Sequence, residues 1–313
     1  MQSLHLFESA GFLVGLLLGS FLNVIISRIP AGESIVSPGS HCPTCNHPIR
    51  WYDNLPLLSW LLLRGHCRDC KTRIPWRYPA VELASGLWVL TLITQSPSDA
   101  WGFFGSFPKM FFYPQLIILL TSLAILGLLL IALIVIDWQT HRLPDALTYT
   151  GIATALFLVC LQSIFLQPGE GQIIFASKHL RLASPGSFAA RGNVFLTGTE
   201  ALIFGRIAAI VGVALILLLI RWAYKALRHR EGLGLGDVKL LAMIAAFLGF
   251  WPTVLTLFLG TLLATAYAVT LLIRRRAHTL TRLPLGSFLG IAGLIAALRG
   301  DQIIDWYRSF FPS

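Results

Sequence analysis

The sequence predicts an all-α polytopic membrane protein of about eight transmembrane helices, carrying a small cytoplasmic zinc-ribbon-like loop domain. Three observations predict this class. Of 313 residues, 56% are hydrophobic and only 12% charged, half the roughly 25% charge of a soluble domain, and mean hydropathy is +0.73. The apolar residues are gathered into runs near the roughly 20 residues that a helix needs to cross a bilayer. The Lys and Arg residues fall mostly on one side of those runs. A single water-soluble globule is excluded by the first observation. Disorder is excluded by the amount of apolar surface.

The runs fall at about 10–28, 80–96, 115–136, 146–166, 201–221, 238–251, 253–273 and 284–299. The sixth and eighth are short for a span. The sixth and seventh are separated only by Trp251-Pro252, as a tight hairpin or one broken span. The first run is read as a retained helix, because no Lys or Arg precedes it and no small-residue cleavage site follows. With the N-terminus outside, the inward loops collect Arg28, Arg50, Arg64, Arg68, Lys71, Arg73, Arg77, Arg142, Arg221, Lys225, Arg228, Arg230, Lys239, Arg274, Arg275, Arg276 and Arg282. The outward loops collect only Lys109, Lys178, Arg181, Arg191, Arg299 and Arg308. The positive-inside rule therefore puts both termini outside the cytoplasm. It also accounts for the net charge of +10 without nucleic acid; the surroundings are membrane lipid.

Three segments follow: a first helix at 1–28, a cytoplasmic loop domain at 29–79, and a transmembrane domain at 80–313 with an exported loop at 167–199. Four of the five cysteines lie in the first loop. They read Cys42-Pro43-Thr44-Cys45 and Cys67-Arg68-Asp69-Cys70. Each Cys-x-x-Cys turn offers two thiolates to one side of a metal, and two such turns close a tetrahedron around Zn2+. A closed four-thiolate site is structural, with no open position for substrate. The competing reading is a pair of reduced or redox-active turns. His41, His47 and His66 flank the turns as bystanders. Cys160 is expected as a small buried residue within the fourth span.

Two acids stand where acids are expensive. Asp137 ends the apolar run 128–136, and Asp237 follows Gly234-Leu235-Gly236 at the start of the sixth span. In this topology both fall at the cytoplasmic edge. A helix N-cap explains Asp237 in isolation. It does not explain Asp137, which sits at the C-terminal end of its helix, where the macrodipole disfavours an anion. Two carboxylates at one depth suggest a pair that shares a proton and activates water, one as base and the other as acid. Gly234 and Gly236 allow close backbone approach. Asp145, after Leu143-Pro144, competes for a catalytic role but is explained by an N-cap.

These residues, in order, resemble the bacterial type IV prepilin peptidases, which are also prepilin N-methyltransferases serving type IV pili and type II secretion. The resemblance covers nearly the whole chain. It includes Gly19-Ser20-Phe21-Leu22-Asn23-Val24, Arg28-Ile29-Pro30, both cysteine turns, and Ile49-Arg50-Trp51-Tyr52-Asp53-Asn54-Leu55-Pro56. Further on come Ser59-Trp60, Arg77-Tyr78-Pro79 with Glu82-Leu83, Leu143-Pro144-Asp145, and Gly234-Leu235-Gly236-Asp237-Val238-Lys239-Leu240.

The resemblance implies an intramembrane aspartic protease. It would cut a basic leader from prepilins or pseudopilins just after a glycine, at the cytoplasmic face. It would then methylate the new N-terminus, usually phenylalanine, with S-adenosylmethionine. It implies Asp137 and Asp237 as the catalytic acids, with Gly234, Gly236 and Lys239 supporting, and it associates methylation with loop 29–79. No Gly-rich dinucleotide signature places the methyl donor. Glu82 is a candidate contact for the substrate amine, against the plainer reading of a polar helix end. Three other readings compete. A transporter using Asp137 and Asp237 as relays would place them near the midplane in repeated halves. A zinc-ribbon scaffold leaves the acids without a purpose. A protease-only relative of the preflagellin peptidases would lack the knuckled loop.

Overall fold

The apolar runs fold as helices because hydrocarbon offers no partner to an unpaired backbone group. The computed structural model describes residues 2–97, 101, 103–104, 107–108, 113–165, 173–175, 178–180, 198–228, 234–274 and 283–310. The chain divides into two compact units, Met1–Phe112 and Tyr113–Ser313.

In the first unit, α1 (Gln2–Arg28) packs along α3 (Arg77–Gln95); the short α2 (Leu58–Leu62) lies in the segment between them. Gly11, Gly15 and Gly19 form an i, i+4 row on α1. A Cβ on Gly15 would come within 2.7 Å of the Ser85 carbonyl oxygen, and one on Gly19 within 2.7 Å of the Glu82 Cα. From the other side, Gly86 admits Phe12 and Leu16. Small residues let membrane helices approach backbone to backbone, where lipid supplies no hydrophobic drive. The two cysteine turns share one design. The N–H of Cys42 donates to the His47 carbonyl at 3.0 Å, and that of Cys67 to the Thr72 carbonyl at 2.8 Å. The residue after each second cysteine is left-handed, Asn46 at φ 55 and Lys71 at φ 58.

The second unit contains α4 (Pro114–Thr140), α5 (Asp145–Phe165), α6 (Gly198–Arg228), α7 (Leu235–Leu248), α8 (Phe250–Ile273) and α9 (Leu285–Ser309). Helix α7 packs against α5, α6 and α8. Beyond Asp237 and Lys239 it is apolar all round, with Leu240, Leu241 and Met243 through Ala246 fully buried, the pattern of a helix enclosed by others. Its 14 residues rise only about 21 Å, too little to cross a core of about 30 Å. Helix α9 meets α4 through another glycine row: a Cβ on Gly290 would lie 2.5 Å from Ile134, and one on Gly293 3.0 Å from Leu130.

A short 3-10 helix (Trp51–Asn54) and two small antiparallel ribbons are also among the described residues. Phe103–Phe104 pairs with Phe107–Pro108, and Ile173–Phe175 with Lys178–Leu180. The latter ribbon and the start of α6 are the described parts of the expected exported loop 167–199; the rest lies outside the described residues.

Six helices are long and apolar enough to span: Leu4–Arg28, Pro114–Thr140, Asp145–Ser163, Leu202–Leu227, Phe250–Ile273 and Leu285–Ser309. The protein is a multi-pass membrane protein. The other two expected spans correspond to α3, diluted by Tyr78, Pro79 and Glu82, and to the short α7. Two boundaries are corrected. The break between the sixth and seventh runs is at Gly249, not Trp251-Pro252. Gly249 takes φ +91, and its N–H closes α7 on the Ala245 carbonyl at 2.9 Å. Pro252 then lies in the first turn of α8, where its missing N–H costs nothing. The eighth run, expected to be short, continues as helix to Ser309 and spans 25 residues, its apolar period hidden by Asp301, Gln302 and Asp305. Cys160, expected buried, is on an exposed face of α5.

Overpacking a close contact costs about 1–3 kcal/mol. Gly15→Leu will therefore lower the thermal stability of the detergent-solubilised protein. Gly205→Leu, at a position with open space around it, will leave the melting temperature unchanged.

Candidate active site and metal centre

Asp137 lies in the last turn of α4, 5% exposed. The left-handed C-cap His141, at φ 50, donates its N–H to the Asp137 carbonyl at 2.9 Å. The side chain is received by the start of α9. The backbone N–H of Ser287 donates to Asp137 Oδ2 at 2.7 Å, and the Ser287 hydroxyl lies 3.0 Å both from that oxygen and from the Ile134 carbonyl. Ser287 is in the first turn of α9, where N–H groups lack helical acceptors and the dipole is positive. The dipole that opposes an anion at the end of α4 is thus offset by the opposite end of α9. Gly286 leaves room for this approach, since a Cβ there would come within 3.0 Å of the Asp137 carboxyl carbon.

Asp237 is the third residue of α7, whose N-cap is Gly234. It is half-buried, and its carboxyl interacts electrostatically with that of Asp137. Gly234 has φ −70, open to any residue, so its constraint is space. A Cβ there would lie 3.0 Å from Asp237 Oδ2, and one on Gly236 3.3 Å from Leu143. Leu143 also packs against Gly286, so one side chain borders the approaches to both acids. Sequence reasoning missed Ser287, Gly286 and Leu143. The available signal was Pro284-Leu285-Gly286-Ser287, a proline and small residues opening a helix whose free N–H groups suit an anion.

Asp145 is not an N-cap. It is the first residue of α5, and its carboxylate accepts from Lys239 Nζ at 2.6 Å, while that ammonium lies 5.1 Å from the Tyr149 ring centre. The supporting Lys239 thus ties α7 to α5.

In the first unit, the four cysteine sulfurs lie within 4.8 Å of one another, and those of Cys42 and Cys70 are 3.8 Å apart. The edge of a zinc–thiolate tetrahedron with bonds near 2.3 Å is about 3.8 Å, so the cluster fits a metal of that size. None of the four is in a disulfide. Backbone N–H groups of Cys45 and Thr44 favour the Cys42 thiolate and lower its pKa. The hydroxyl and backbone of Thr72 push Cys70 down to about 6. Although the His47 backbone favours its thiolate, desolvation and the other three sulfurs push Cys45 up to about 12. Such a cluster holds its negative charge comfortably only when a cation shares it. His41 and His66 turn their Nδ1 atoms to the Gly39 and Arg64 carbonyls.

Glu82, on α3, is 8% exposed. Its Oε2 accepts from the Leu57 N–H at 2.8 Å, which helps hold Leu57 at φ 59. The Ser20 hydroxyl reaches the same carboxylate.

Comparison with known proteins decides the family. Residues 13–96 match the bacterial peptidase A24 N-terminal domain, and residues 124–269 match the type IV leader peptidase family. A prepilin leader peptidase/N-methyltransferase of Aeromonas hydrophila is 33% identical over 98% of this chain and 95% of its own. Enzymes with that name from Stutzerimonas stutzeri and Pseudomonas aeruginosa are 33% and 34% identical, over 97% and 95% of this chain and 94% and 92% of theirs. The chain belongs to the type IV leader peptidase family. Asp137 and Asp237 lie in the segment matching the family's peptidase region, and the cysteines and Glu82 lie in the N-terminal one. No solved structure matches the chain.

The exposed Lys239–Asp145 pair is of a kind that contributes about 0–1 kcal/mol. Asp145→Asn will therefore shift the melting temperature only slightly and leave membrane insertion intact. A loss as large as that of a core truncation would contradict this reading.

Proposed function

We propose that this chain removes the leader of type IV prepilins or type II secretion pseudopilins and then methylates the new N-terminal amine. The observation that carries the peptidase half is that the end of α4, with Asp137, and the start of α7, with Asp237, border the same Leu143 side chain, in a chain similar throughout to enzymes of that name. One carboxylate takes a proton from water as the water oxygen attacks the scissile carbonyl. The other donates a proton to the carbonyl oxygen. The amide C–N bond then breaks and the leaving amine takes up a proton. Ser287 fixes the orientation of Asp137, and Gly234 keeps the Asp237 side unobstructed.

The basic loops support an active site at the cytoplasmic face of the bacterial inner membrane, with both termini periplasmic. A prepilin lies in the bilayer as a helix with its basic leader at that face. Its scissile bond is freed where the helix unwinds, and a glycine before the cut supplies that flexibility. The tetracysteine cluster holds a structural Zn2+ that folds the loop, leaving cleavage to the acids. S-adenosylmethionine, the donor that an N-methyltransferase needs, supplies an electrophilic methyl group on a positively charged sulfur. Glu82 accepts a proton from the new N-terminal ammonium, so that its lone pair is free to take the methyl.

Asp137→Asn and Asp237→Asn, each assayed on a prepilin in liposomes, will cut leader cleavage at least about a hundredfold, the lower end of what acid–base catalysis supplies. Near-normal cleavage by either inserted variant would refute the pair. Elemental analysis of protein purified without chelator will give one zinc per chain, and Cys70→Ser will lower it. Metal-free wild-type protein would overturn the structural zinc.

A further inference from the structure

The first unit contains an open pocket of about 440 Å³, within the roughly 300–1,000 Å³ range of small-molecule sites. Ser20, Asn23, Ser27 and Arg28 from α1, and Tyr78 and Glu82 from α3, line it. Ser20, Asn23 and Ser27 recur at spacings of three and four, so they form one polar face, with Arg28 beside it, near the end of a helix long and apolar enough to span. Polar side chains at such positions are costly and mark sites.

Two of them are buried with functional atoms to spare. Asn23 is 3% exposed; its amide nitrogen donates to the Tyr78 carbonyl at 3.0 Å, while its Oδ1 has no hydrogen-bond partner among the described residues. A buried acceptor without a donor is rare unless something else supplies one. Glu82 presents a carboxylate to the same cavity, held at Oε2 by the Leu57 N–H. Arg28 ties the following segment back to α1 by donating to the Ser34 and Gly39 carbonyls at 2.9 and 3.3 Å. The α1–α3 wall thus offers one orphan acceptor and the Glu82 carboxylate, while the loop wall brings the guanidinium groups of Arg50 and Arg73 to the same pocket. Its complement is a small zwitterionic ligand that carries a cationic centre, a carboxylate and N–H donors.

We infer that this cavity binds S-adenosylmethionine, with Asn23 and Glu82 as its recognition groups. The inference rests on the N-methylation reading, which requires an adenosyl sulfonium donor. The Asn23 oxygen accepts from an N–H of the ligand. The Glu82 carboxylate faces the cationic sulfur, at the place where the amine's proton is also to be taken up.

The test uses the full chain in detergent micelles and tritium-labelled S-adenosylmethionine in equilibrium dialysis, with leader cleavage of a prepilin and zinc content as controls for folding. Asn23→Leu and Glu82→Gln will each weaken binding at least about tenfold, with cleavage and zinc content retained. Glutamine keeps the acceptor for Leu57, so Glu82→Gln removes charge without the anchor. Wild-type affinity in both variants overturns the site. If a variant loses cleavage or zinc as well, photo-crosslinking of the wild type with an azido-adenosyl analogue decides. Labelled peptides from 20–28 or 77–82 support the cavity, and labels confined to 113–313 overturn it. A wild-type chain that cleaves but transfers no methyl to the product overturns the N-methylation reading instead, separately from the site.

Discussion

A buried carboxylate at the C-terminal end of a membrane helix is opposed both by its surroundings and by its own helix dipole. In this protein the start of α9 receives it. Ser287 brings a backbone N–H and a hydroxyl to Asp137, and Gly286 gives them room. That contact fixes α4 against α9 and leaves the end of α4 beside Leu143, which in turn packs on Gly236 at the start of α7. The position of Asp237 follows from the same geometry. Helix α7 can be short and, beyond Asp237 and Lys239 at its start, apolar because its neighbours enclose it.

Close backbone approach is the second constraint, and it recurs in both units. The Gly11-Gly15-Gly19 row on α1 and the Gly286-Gly290-Gly293 row on α9 serve the same physical need: helices in lipid gain by packing. In the first unit the consequence is chemical as well as structural. With α1 and α3 drawn together by glycines, the end of α1 and the start of α3 bring Ser20, Asn23 and Glu82 to one pocket. The acids proposed for cleavage and the chamber proposed for the methyl donor belong to separate compact units.

Much of this was legible in the sequence, for identifiable reasons. Apolar runs announce membrane helices because the bilayer tolerates little else, and the eight runs coincide with eight helices. The cysteine turns announce their own cluster, since the chemistry is contained in the spacing. Asp137 was legible because no capping role accounts for it. What escaped depends on tertiary packing. Ser287 and Asp137 are 150 positions apart, and no local pattern links them. Asp145 looked like a cap until α7 brought Lys239 to it. Gly249, rather than the more conspicuous proline, breaks the α7–α8 pair because only the glycine accepts a left-handed turn. The glycine row on α1 was visible in the sequence, but its meaning needed a partner helix.

The central claim is that one chain carries out two separable reactions on the same substrate, hydrolysis first and methyl transfer second. It is tested most directly by incubating the wild-type protein with a prepilin in liposomes, with and without S-adenosylmethionine, and weighing the product by mass spectrometry. The account predicts a leaderless product in both samples, heavier by a single methyl only when the donor is present. A prepilin that keeps its leader in both samples would contradict it.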